Sequence, residues 1–129
     1  MFSALRRLSF VVQAEAPVRY EHIDFKAPKG AKEAAQRGLD LLKIQKAATP
    51  VGIARARDLV NGKTLSPSTV KRMYSFFSRH EVDKQSKAWK EQTPTNPSKG
   101  YIAWLLWGGD PGFAWAKKIV RQMSAADNN

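Results

Sequence analysis

The sequence predicts an all-α fold, a small helical domain of about five helices with an extended N-terminal arm. Three observations carry that expectation. Apolar residues recur at three- and four-residue spacing over most of the chain. Short hydroxylic residues followed by proline, and glycines further on, mark where helices start and stop. The stretch Gly100–Met123 holds three of the four tryptophans, and its first half, Tyr101 to Trp107, is apolar at every position. A helix hydrophobic on every side is a buried one, and this one is too short to span a membrane.

Residues 1–18 form the expected arm. The apolar run Leu8 to Val12 is broken by Ser9 and is too short for a secretory signal. Val18 to Phe25 alternates loosely and predicts extended backbone, closed by Pro28 and Gly30. The first helix is expected over 31–46, with Ala31, Ala35, Leu39 and Leu42 on one face and Gly38 at a close crossing. Thr49-Pro50 caps and opens a second helix to Val60. Its inner side is assigned to Ile53, Ala56, Leu59 and Val60, with Arg55, Arg57 and Asp58 directed outward. Asn61-Gly62 stops it.

Ser66 caps the next helix, Pro67 takes its first position, and no breaker follows until after His80. Val70, Met73, Tyr74, Phe76 and Phe77 face inward, while Lys71, Arg72, Ser75 and Arg79 face out. A long polar loop over 84–100 carries a short helix near Trp89. After the buried helix, Gly108 suits a left-handed corner and Asp110 an N-cap ahead of Pro111. The last helix then places Trp115, Ile119 and Met123 on its buried side. Residues 125–129 are expected to fray, leaving one domain over 19–124.

Charge is the strongest compositional signal. The 129 residues carry 22 Lys and Arg against 11 Asp and Glu, a net charge of +11. The excess is concentrated in residues 51–100, with ten basic residues against four acidic, rather than in the hydrophobic centre. Such a balance favours polyanionic partners, nucleic acid first and acidic protein surfaces second. The chain has no cysteine, which excludes disulfides, thiolate zinc sites and a cysteine nucleophile, and suits a reducing intracellular setting.

The helices expected over 50–60 and 67–80 have the layout of a helix–turn–helix, in which the second helix meets the major groove. Hydroxyl and basic side chains on that helix suit phosphate and guanine contacts. Trp89 among Lys84, Lys87 and Lys90 combines a stacking ring with phosphate-pairing charge. The plainer reading of Trp89 is an indole that pins the loop to the body. His80 beside Glu81 and Asp83 matches no metal or acid–base spacing, and is assigned to a helix-end hydrogen bond. No phosphate-binding glycine loop or Ser/His/Asp set is present.

Three segments also resemble a known family: IDFKAPKGAKEAAQRGLDL over Ile23–Leu41, ARDLVNGKTLSPSTVKRMYSFFSRHEVDK over Ala56–Lys84, and PSKGYIAWLLWGGDPGFAWAKK over Pro97–Lys118. Over about residues 20 to 120 the chain resembles a small helical module of tailed bacteriophages, which stands alone or is joined to head-maturation and structural proteins. The segment from Lys43 to Gly52 is shorter than the glycine-rich linker of that module. The resemblance implies a phage context, in the cytoplasm of an infected bacterial host or packaged in the virion, and implies no particular activity.

The expected function is that of a basic, non-enzymatic accessory protein that binds nucleic acid, DNA in preference to RNA. It needs no cofactor or metal and no membrane. The candidate contacts are Arg55, Arg57, Lys63, Ser68, Lys71, Arg72, Ser75 and Arg79 on the helical pair, with Lys84, Lys87, Trp89 and Lys90 in the loop. The alternative is a virion structural or assembly protein that turns the same basic face toward an acidic protein.

Overall fold

The structure is a computed structural model that describes residues 16–46 and 48–129, so the arm expected over 1–18 lies outside it except for residues 16–18. Six α-helices are present among the described residues: α1 Lys29–Leu41, α2 Pro50–Val60, α3 Pro67–His80, α4 Lys87–Lys90, α5 Lys99–Leu106 and α6 Gly109–Asp127. The all-α expectation holds. Caps define the starts of α2 and α3 as the sequence indicates. Thr49 Oγ1 accepts from the Gly52 amide at 3.0 Å, and Ser66 Oγ accepts from the Thr69 amide at 3.2 Å.

Helix α5 occupies the centre. Ile102, Trp104, Leu105 and Leu106 are buried, and Trp107 at its end is 9% exposed. Helix α1 lies across α5, and also against α2 and α6. The crossing is close because Gly38 has no side chain: a Cβ there would stand 2.9 Å from the Leu106 backbone nitrogen. The corner between α5 and α6 is equally tight. Gly108 and Gly109 adopt φ of 120° and 64°, conformations that side chains rarely tolerate.

Helix α3 packs chiefly on α6, whereas α2 packs on α1 and α5. The two helices of the expected helix–turn–helix pair therefore dock on different neighbours, and their adjacency in sequence is not matched by close packing on each other. Val70, Met73 and Phe77 of α3 are fully buried, and Phe76 is 8% exposed. Phe77 meets the Trp104 ring edge-on at 4.8 Å between centroids, and Phe76 stacks on Trp107 at 4.6 Å. The helix is thus fixed along its inner face, as the periodicity predicts.

Several local expectations are corrected. Val18–Tyr20 forms a turn of 3-10 helix rather than extended chain, and places Tyr20 in the core. Extended backbone appears further on, where the Leu65 amide bonds the Phe25 carbonyl at 3.0 Å. Helix α1 ends at Leu41, short of Lys46; Leu42 still packs on the core, whereas Ile44 beyond it is 54% exposed. The loop over 84–100 is more structured than expected, with a 3-10 segment Glu81–Gln85 leading into α4. The expected fray over 125–129 does not begin at 125. Helix α6 runs to Asp127, with Ala126 buried and Asp127 accepting from Arg19 Nε at 2.6 Å and Tyr20 Oη at 2.7 Å.

Asp110 is not an N-cap either. Gly108 holds that position, and the Asp110 carboxylate instead accepts from the Trp104 indole and from Lys84 Nζ, both at 2.9 Å. A buried indole N–H needs an acceptor, and this carboxylate is the one it finds. The Lys84 hydrogen bond holds the Asp110 carboxyl below its ordinary range; partial burial opposes the shift, and the indole hydrogen bond adds to it. Because Asp110 titrates lower when folded, its contribution to stability is present above the unfolded carboxylate pKa of about 4 and is lost as pH falls through the folded value. Asp110→Asn is therefore expected to unfold at lower urea than the native chain at pH 7. The gap should start to narrow as pH falls past about 4 and close only below the lower folded-state value, where Asp110 too is neutral.

Candidate nucleic-acid interface

The outer face of α3 supplies the site. Positions 71, 75 and 79 lie four residues apart and 72 fills the row beside them, so all four side chains fall on one stripe of the helix. Lys71, Arg72, Ser75 and Arg79 line a single open cleft of about 380 Å³, whose remaining walls are Val51, Phe76 and Trp107. No acidic side chain lines it. The Cα positions from 71 to 79 span about 12 Å of helix. The arrangement presents three cations and a hydroxyl on a rigid support, which suits a row of anionic oxygens.

Arg55 stands behind this cleft, against the expectation that it faces solvent. It is 8% exposed, and its guanidinium sits 5.3 Å over the Trp107 ring. The helical phase explains the error. Gly52, Arg55, Ala56 and Leu59 form the buried stripe of α2, at the spacing i, i+3, i+4, i+7. Two of those four are not apolar, so hydrophobic periodicity finds Ala56 and Leu59 but adds Ile53 and Val60 in place of Gly52 and Arg55. Arg55 donates through Nη1 to Asp58 at 3.3 Å, while its buried Nε has no partner among the described residues. Burial lowers its pKa, Asp58 opposes that shift and nearby Arg72 reinforces it.

The other candidates divide into free and committed groups. Arg57, Lys87 and Lys90 are exposed. Lys63 is exposed but pairs with Asp58 at 3.6 Å, and Ser68 Oγ lies 3.1 Å from the Ser66 cap. Lys84 is held by Asp110 and stands 4.5 Å over the Trp104 ring, so its charge belongs to the core contact described above. Trp89 packs edge-on against Tyr101 and Trp104, at 5.3 and 6.3 Å between centroids. It pins the loop to the body, and the stacking role is set aside. The structure does not bring the α4 residues into the α3 cleft.

Two features escaped the sequence. Trp107 and Val51 complete the cleft, and neither carries a charge that would single it out. Lys26, Lys29 and Lys32 flank a second cleft of about 620 Å³ beside Asn61 and Gly62, where the start of α1 meets the end of α2. Glu33 also lines that cleft, and it pairs with Lys29 at 3.8 Å.

His80 Nδ1 lies 3.1 Å from Asp83 and its ring rests against Phe76, as a helix-end histidine would. No group of three or more His, Cys, Asp or Glu side chains is placed to hold a metal ion among the described residues. No helix among them is long and apolar enough to cross a membrane. No family model, curated protein or solved structure matches the chain.

The buried arginine makes its own prediction. Replacing both partners of a buried ion pair by apolar groups is often neutral. Losing Arg55 alone is tolerable here because Asp58 is part-exposed and keeps Lys63, and because Arg55 buries an unpaired Nε. Arg55→Met is expected to leave the free energy of unfolding within about 1 kcal/mol of the native value, or to raise it. Urea titration checks this; a loss beyond about 2 kcal/mol would show the Arg55–Asp58 contact to be strongly stabilising.

Proposed function

We propose that the protein is a non-enzymatic accessory protein that binds nucleic acid through the outer face of α3. The observation that carries this reading is the convergence of Lys71, Arg72, Ser75 and Arg79 on one cleft without an acidic lining residue. The net charge of +11 supports it, since a strongly basic chain concentrates polyanions around itself. Phosphate contacts from lysine, arginine and serine position a protein on nucleic acid and supply most of its sequence-independent affinity. DNA is the preferred form, because α3 presents short hydroxyls and arginines that suit phosphate and base-edge contacts. The phage context, with action in an infected bacterial cell or in the virion, rests on the resemblance of the three segments quoted above.

A second reading is favoured by one observation. Val51 is 51% exposed at the cleft rim, next to the Phe76 and Trp107 walls, and an apolar wall beside cations suits an acidic protein partner. Under that reading the protein is a virion or assembly component.

Salt dependence separates the two and tests the first. Phosphate contacts release condensed counterions, so log affinity should fall with log salt by about 0.9 for each phosphate neutralised on duplex DNA. Lys71→Ala and Arg79→Ala are each expected to weaken binding and flatten that slope by about one. Stability should move by no more than about 0.5 kcal/mol, since both side chains are exposed. Absence of measurable affinity for any nucleic acid at about 50 mM salt would favour the protein partner instead.

A further inference from the structure

We infer that the nucleic acid this protein takes is double-stranded, held by its phosphate backbone without base stacking. The inference rests on the nucleic-acid reading above and goes beyond it by choosing between strand forms. Proteins that bind single strands without sequence preference combine a basic groove with aromatic faces on which successive bases stack. The structure has the basic groove, but the two rings that line it are occupied.

The two aromatic residues in the α3 cleft are stacked on each other. Phe76 and Trp107 lie 4.6 Å apart with 7° between their planes, and each is less than 10% exposed. Trp107 is further engaged by the Arg55 guanidinium. Neither offers a face to an incoming base. The ring nearest the second group of free lysines, Trp89, is held edge-on by Tyr101 and Trp104. The large apolar side chains exposed among the described residues are Val18, Ile44, Val51 and Val82, all aliphatic.

The cations are placed for a stiff polyanion. Lys71, Arg72 and Arg79 project from a helix whose opposite side is fixed by Val70, Met73, Phe76 and Phe77, so their spacing is set before binding. Their run of about 12 Å along α3 lets them meet neighbouring phosphates of a stiff backbone together. A duplex also presents charge at twice the axial density of one strand. A flexible single strand would have to be ordered along the helix, with no stacking to offset that cost.

The test compares a random-sequence DNA duplex with each of its separated strands, at about 50 mM salt, by anisotropy of an end label and by the protein's tryptophan emission. The duplex is expected to bind about tenfold tighter than either strand, because it doubles the charge density and a strand must be ordered without stacking. Strand binding should leave tryptophan emission unchanged, and Arg79→Ala should weaken the duplex more than the strand. Single strands that bind as tightly as duplex, with or without quenched emission, would overturn the inference while leaving the nucleic-acid reading intact. Binding of neither would remove both.

Discussion

The burial of α5 through Ile102, Trp104, Leu105 and Leu106 is the constraint on which the rest of the structure depends. A segment apolar from Tyr101 to Trp107 must have most of its surface covered, and four longer helices do most of the covering. Each contact places a demand on sequence elsewhere. The approach of α1 requires Gly38, and the return of the chain into α6 requires Gly108 and Gly109. Burying the Trp104 indole requires an acceptor, which Asp110 supplies, and that carboxylate in turn anchors Lys84 and the segment before α4. Helix α3 is anchored on the same centre through Phe76 against Trp107 and Phe77 against Trp104. The basic cleft is thus a consequence of core packing: it lies where the outer face of α3 meets the end of α5.

The helices were legible in the sequence to the extent that local chemistry defines them. Thr49-Pro50 and Ser66-Pro67 start helices where expected, because a cap and a donor-free first position act within one turn. The inner face of α3 was equally legible, since its apolar residues keep helical phase without interruption. What the sequence hid depends on partners far along the chain. Asp127 looked like part of a fraying tail, yet it is bound by Arg19 and Tyr20, more than 100 residues away. Asp110 had the neighbours of an N-cap, and only the folded position of Trp104 shows why it serves another purpose. Arg55 was misplaced because the buried stripe of α2 includes a glycine and an arginine, which an apolar count cannot detect.

The candidate site was half legible for a related reason. Charge can be counted from sequence, but whether a charge is free cannot. Lys84 and Arg55 count as cations in the sequence just as Lys71 and Arg79 do, yet one is held over the Trp104 ring by Asp110 and the other is buried on Trp107. Removing the committed cations leaves the α3 stripe as the most coherent cluster among those named, with Arg57 on α2 and the α4 lysines as separate exposed charges. Sequence also gave no sign that Lys26, Lys29 and Lys32 would gather beside the end of α2, because the cluster forms only when α1 packs there.

Two basic clefts on one small protein make the location of binding the decisive question. Amide and arginine side-chain chemical shifts, followed while duplex DNA is added at low salt, answer it directly. The account predicts that the largest changes fall on residues 71–79 and on Val51 and Trp107, which share the α3 cleft. Changes centred on Lys26, Lys29 and Lys32, with the α3 face unperturbed, would contradict it.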